Sequence, residues 1–223
     1  MLGFYGFLRI REFNHLENLK TYNCKDMSYA FCCSTDTSGK WDTPELTSLD
    51  LSHFDISKVE EIDYFVKIIS LQSLNISGFK FSSVRYLTTF ISYCYSLTSL
   101  DMTGIDVSDL RYLNCFIMSC TSLETINLDT FNPVHCWDMT SLFCYCSSLK
   151  NITFCEHFSP GELYPLLSEP EKGDVAPEGF PSALTKTVDG TTYVLGSYGK
   201  RVRISSWFNG CTALEEIDFA NWE

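Results

Sequence analysis

The sequence predicts an α/β repeat fold: a solenoid with short parallel strands on one face, short helical turns on the other, and a repeat period of 25–26 residues. Three observations predict it. A leucine-led segment restarts at Leu46, Leu71, Leu97, Leu123 and Leu149, at spacings of 25, 26, 26 and 26 residues. Each copy opens with alternating apolar and polar residues, the period of a half-buried strand. A Cys-x-Ser-Leu or Cys-x-Ala-Leu landmark recurs in phase at Cys94, Cys120, Cys146 and Cys211. A unit this small cannot bury its apolar side alone, so copies must stack.

Residues 1–45 form a degenerate first copy with a loop at Ser34–Thr43. Within it, HLENLKTYNCKDMSYAF lines up with DLSHFDISKVEEIDYF of the following copy. Residues 46–158 are the regular solenoid. Its strands carry Leu49, Leu74, Leu100, Ile126 and Ile152 in one inward column, and Leu51, Ile76, Met102, Leu128 and Phe154 in the next. Phe54, Phe79, Ile105 and Phe131 follow in a further apolar column. Spacing of three at Val59/Ile62/Phe65, Val84/Leu87/Phe90 and Leu110/Leu113/Phe116 predicts a short helical or 3₁₀ turn. The next copy carries Cys136/Met139, with Phe143 one residue late.

Residues 159–205 interrupt the pattern. Five of the seven prolines lie between Phe158 and Ser182, which predicts irregular loop. Asp189-Gly190 between β-rich flanks predicts a hairpin with strands near 184–188 and 191–195, and a third strand at 201–205 is possible. This insertion holds Lys186, Lys200, Arg201 and Arg203 in an otherwise acidic chain. Residues 206–223 are a last partial copy, LEEIDFANW from Leu214. A solenoid end without a polar cap exposes core and strand edge, so further repeats or another chain are expected to cover the C-terminal end.

Composition narrows the function. The 16 Lys and Arg against 28 Asp and Glu give a net charge of −12, unfavourable for nucleic acid and for anionic lipid. No apolar run approaches the roughly 18 residues of a membrane span, so membrane insertion is not expected. The apolar start, Met1 to Leu8, lacks a basic lead and a small-residue cleavage site and does not read as a signal peptide. Either the protein is cytosolic, or the sequence begins downstream of an export signal.

The chemistry-bearing residues are mostly explained by the repeat. The 11 cysteines are an odd number. Cys94, Cys120, Cys146 and Cys211 share one column, and Cys24 and Cys136 exchange with Val59, Val84 and Leu110, which favours buried packing thiols. A zinc set of Cys144, Cys146, Cys155 and His157 has suitable residue types but conflicts with the packing role of Cys146. Cys32 and Cys33, near a loop, are the first candidates for a disulfide. The four histidines, His15, His53, His135 and His157, fall in no catalytic geometry, and no nucleophile elbow, phosphate loop or metalloprotease helix is present. No enzyme, metal or cofactor is expected, although an enzyme site in the 159–205 insertion stays a remote alternative.

The candidate binding residues are the outward strand positions. Asp50, Asn75, Asp101, Asn127 and Asp218 form one ladder, flanked by Ser48, Ser73, Ser99 and Thr125. A solenoid presents such a face as an extended binding surface. The plainer alternative is a row of solvated polar residues. Tyr93, Tyr95, Tyr112 and Tyr145 fall outside the main columns and are further candidates for contact area.

The repeat resembles the BspA-like leucine-rich repeat surface proteins of bacteria, a group also seen in mycoplasma lipoproteins. Leu46 to Phe65, Leu97 to Phe116 and Cys146 to Leu149 carry the match, which extends over 13–158 and 206–223. The resemblance implies a leucine-rich-repeat-like solenoid at the cell surface or secreted. It implies a non-enzymatic binding or adhesion module for a protein or glycan on a host or neighbouring cell. A structural spacer holding another domain is the alternative.

Overall fold

The computed structural model describes residues 9–33, 44–160, 185–188, 191–194, 204–215 and 217. It is a parallel β-solenoid. The first face carries β2 (Ser48–Asp50), β4 (Ser73–Asn75) and β7 (Ser99–Asp101) in one sheet. The same face carries β10 (Thr125–Leu128) and β11 (Asn151–Phe154) in another. Register follows the repeat: Leu49 pairs with Leu74 and Leu74 with Leu100, while Ile126 pairs with Ile152.

The opposite side is also β. Four two-residue strands, β1 (Phe31–Cys32), β3 (Val66–Lys67), β6 (Ile91–Ser92) and β9 (Ile117–Met118), form one parallel sheet. Beside it, β5 (Tyr86–Thr88) pairs in parallel with β8 (Tyr112–Asn114). The expected helical turns are therefore absent. The described residues contain one three-residue 3₁₀ turn, Leu16–Asn18, and no α-helix.

The spacing of three has another physical source. Tight turns link residues i and i+3: the Phe54 N–H donates to the Leu51 carbonyl at 2.8 Å, Val59 to Ile56 at 2.9 Å, and Leu97 to Cys94 at 3.1 Å. Both ends of each turn face inward. Left-handed corners produce the same spacing. Leu87 points in from β5, Thr89 adopts φ 56, and Phe90 points in again. That corner repeats at Tyr29, Tyr64, Cys115, Ser141 and Ser206. A left-handed conformation costs a non-glycine residue roughly 1–2 kcal/mol. Intercoil backbone bonds offset it: Thr89 N–H reaches the Asn114 carbonyl at 2.9 Å, and Ser141 N–H the Ser205 carbonyl at 2.9 Å.

The corner register also relocates one residue. The Ile117 amide bonds the Leu142 carbonyl as the Ile91 amide bonds that of Phe116. Leu142 thus fills the place of Phe116, restoring the spacing Cys136/Met139/Leu142. Phe143 occupies the neighbouring column of Ile91 and Ile117. The segment from Ser205 continues the stack, with Phe143 N–H on the Trp207 carbonyl at 3.0 Å and Tyr145 N–H on that of Asn209 at 2.6 Å.

The core is one ladder of rings and branched chains. Phe65, Phe90 and Phe116 are fully buried and stack face to face, with centroids 5.2 and 5.3 Å apart. At roughly 1.5–3 kcal/mol per buried large side chain, these columns are the main source of stability. In addition, β12 (Thr185–Val188) and β13 (Thr191–Val194) pair antiparallel, with Val188 opposite Thr191. Of the third strand considered at 201–205, residues 201–203 lie outside the described residues, and Ile204 and Ser205 are not strand. The loop at Ser34–Thr43 also lies outside them.

Two glycines separate backbone cost from packing cost. Gly104 has φ +71, and a Cβ there meets only the Gly78 backbone at 3.7 Å or beyond. Gly210 has φ +79, and a Cβ would approach the Tyr145 ring at 2.6 Å and its Cα at 3.1 Å. Gly104→Ala is expected to cost about 1 kcal/mol through φ alone, and Gly210→Ala about 2–4 kcal/mol, the φ cost plus the displacement of Tyr145. Urea midpoints of the two variants check the order; equal shifts would contradict it.

Candidate functional site

The strand alternation places the sequence-predicted ladder outward. In β2 and β10, Ser48, Asp50, Thr125 and Asn127 are exposed while Leu49 and Ile126 are buried between them. Ser99 and Asp101 are exposed, and Ser73 and Asn75 are half-buried. Ser48, Ser73 and Ser99 stand in register, as do Asp50, Asn75 and Asp101. Thr125 and Asn127 face Asn151 and Thr153 on the next coil. Asp218 lies outside the described residues.

The ladder has a second role that the column reading missed. Each of its four described Asp/Asn members accepts the backbone N–H two residues on: Asp50 Oδ1 from Ser52 at 2.9 Å, Asn75 Oδ1 from Ser77 at 3.0 Å, Asp101 Oδ1 from Thr103 at 2.9 Å, and Asn127 Oδ1 from Asp129 at 2.9 Å. These are Asx turns, a local alternative to continuing the strand. The motif recurs at the other corners, from Asp26, Asp55, Asp106 and Asp138 to the amides of Ser28, Ser57, Ser108 and Thr140. The signal was visible as Asp/Asn-x-Ser/Thr at seven of these eight turns, Asn127-Leu128-Asp129 being the other.

Turn bonds also set the charge. Burial pushes the Asp50 carboxyl up, but the Ser52 hydroxyl and amide, His53 and Asn75 together bring it below the ordinary value. Asp55, hydrogen-bonded by the Ser57 hydroxyl and amide, is lowered as well. Asp50 therefore holds its negative charge at the head of the ladder, with one oxygen committed to the backbone.

A cleft of about 360 Å³ opens at the head of the ladder, lined by Phe13, Leu16, Glu17, Leu49, His53 and the ladder residues Ser48 and Asp50, with Ser52. It joins an apolar floor to two carboxylates and two hydroxyls, a surface able to hold a polyhydroxylated or amide-bearing group.

The other candidates are dispersed. His15 sits 3.2 Å from Glu17, His53 packs edge-on to Phe54, His135 Nδ1 lies 2.6 Å from the Ser108 carbonyl, and His157 Nε2 is 3.7 Å from Glu156. Among the described residues no group of three or more His, Cys, Asp or Glu is arranged to hold a metal ion. Tyr95 and Tyr145 are exposed, whereas Tyr93 and Tyr112 are half-buried, Tyr112 against Trp137. Tyr29 and Tyr64, which the column reading passed over, stack in parallel at 5.2 Å on consecutive left-handed corners.

The thiol column is interior. Cys94, Cys120 and Cys146 are fully buried, and Cys211 is 8% exposed. The first three direct S–H at the carbonyl two residues back, at 3.6, 3.8 and 3.9 Å. Burial pushes Cys211 up to about 11 and Cys32 up to about 12, so these thiols stay neutral. Cys32 and Cys33 are both buried.

The family model described as "Mycoplasma protein of unknown function, DUF285" matches residues 5–114 and 40–154. The chain belongs to this family. Its two matched stretches overlap, as a repeat matched in more than one phase does. No curated protein and no solved structure matches the chain. Among the described residues no helix is long and apolar enough to cross a membrane.

Proposed function

We propose that this DUF285 chain is a non-enzymatic binding or adhesion module of a bacterial surface or secreted repeat protein, of the BspA-like kind. Its partner is a protein or glycan on a host or neighbouring cell. The observation that carries the reading is the exposed Ser/Thr-x-Asp/Asn ladder, in register across successive coils and held by Asx turns. Groups fixed before contact lose little conformational entropy on binding. The adjoining cleft with Phe13, Leu16 and Glu17 adds apolar contact to the polar face.

The Asx turns also favour a second reading. Side chains that hold corners need no ligand to account for them, so a structural spacer is consistent with the same ladder. The test must therefore leave the turns intact. Changing Ser48, Ser73, Ser99 and Thr125 together to Lys alters the face but not the turn acceptors. Wild type and variant, both folded by circular dichroism, are compared on arrays of matrix proteins and glycans. The binding reading expects a hit that falls at least about tenfold in the variant, on the order of 1.4 kcal/mol. A hit of unchanged strength would move the contact away from the ladder. Absence of any hit would favour the spacer.

A further inference from the structure

Cys115 and Cys144 stand apart from the packing thiols. Cys115 occupies a left-handed corner at φ 49 and is half-buried. Cys144 sits on the next coil, 3% exposed, held by its N–H on the Ser141 carbonyl at 3.2 Å and by the Ser119 N–H on its own carbonyl at 2.9 Å. The Cys144 S–H points at Cys115 Sγ, with the sulfurs 3.9 Å apart. Neither residue belongs to the interior column of Cys94, Cys120, Cys146 and Cys211.

We propose that Cys115 and Cys144 form a reversible disulfide site that staples two successive coils when the chain meets a low-molecular-weight disulfide oxidant. Closure needs the sulfurs to approach by about 1.9 Å, from 3.9 Å to the bonding distance of about 2.0 Å. The half-exposed Cys115 gives the oxidant access; Cys144 is reached only through it. The hydrogen bond from Cys144 favours the Cys115 thiolate, and the same contact together with burial holds the Cys144 proton on. The order of events follows. The Cys115 thiolate attacks one sulfur of the oxidant, forming a mixed disulfide and releasing one thiolate. The Cys144 thiol then gives up its proton to solvent and attacks Cys115 Sγ, forming the intercoil bond and releasing the second thiolate. Two protein thiols are oxidised and one disulfide is reduced to two thiols. Stability in a stacked array depends on contacts between neighbouring coils, so a bond across one coil boundary acts where the array is divisible.

The experiment equilibrates the full chain in graded glutathione disulfide/glutathione buffers, quenches with iodoacetamide, and maps thiols by mass spectrometry. The expected result is one linked peptide pair carrying Cys115 and Cys144, with the other cysteines alkylated after denaturation. C144S is expected to accumulate the glutathione adduct at Cys115, and C115S, a change at a half-exposed position, to leave Cys144 unmodified. Oxidised wild type is expected to melt about 5–10 °C higher than reduced, reversibly, with no such shift in C115S. The proposal is overturned if both residues stay reduced at the oxidising end. It is equally overturned if C144S carries no adduct, or if another pair oxidises first.

Discussion

Phe90→Ala is expected to destabilise the chain by about 3–5 kcal/mol, lowering the melting temperature on the order of 10 °C. Phe90 is fully buried, stacked at 5.2 Å on Phe65 and at 5.3 Å on Phe116, with Phe81 edge-on at 5.4 Å. Removing its ring opens a cavity shared by three coils, and the surrounding rings are tied to paired strands that limit collapse. Urea unfolding followed by circular dichroism checks it, with Tyr22→Ala, at an exposed position, as a control expected within about 0.5 kcal/mol of wild type. A loss below about 1 kcal/mol at Phe90 would mean that the ring ladder is not the stabilising core.

Asp138→Ala is the second large effect, expected at about 2–3 kcal/mol. Asp138 is 2% exposed, and its Oδ1 accepts the Thr140 N–H at 3.0 Å and the Thr140 hydroxyl at 2.6 Å. Alanine deletes the turn acceptor and leaves both donors to be resolvated in a crowded corner. Asp138→Asn keeps an oxygen at the same place and is expected to cost no more than about 1 kcal/mol. Urea midpoints of the two variants separate the readings: equal losses would show that charge, not the Asx bond, holds this corner. The exposed equivalents, Asp50 and Asp101, keep the same turn bond but have water as an alternative partner, so their alanine variants are expected to lose less.

Most of the repeat was legible because its columns survive translation along the chain. Leu49, Leu74 and Leu100 share a column in the sequence and pair directly in the sheet. The outward position of Asp50, Asn75 and Asp101 follows from the same period of two. The helical turns were misread because spacing of three has more than one source. Ile62 and Phe65 flank a left-handed corner at Tyr64, and Leu87 and Phe90 one at Thr89. Linear spacing does not distinguish these from 3₁₀ winding. The turn role of the ladder was missed for a related reason: column analysis compares equivalent residues across copies, whereas an Asx bond runs two residues along the chain.

What the sequence determined by itself was the period, the inward and outward faces and the stacking of coils, because each depends on burying repeated apolar residues that one coil cannot bury alone. What the tertiary structure decided was the all-β character of the coil, the shift of Leu142 into the Phe116 column, and the meeting of Cys115 with Cys144. Those depend on left-handed corners at residues such as Tyr64, Thr89 and Cys115, where local preference opposes the conformation. Hydrogen bonds to the next coil overcome that preference, and they exist only once the coils are stacked.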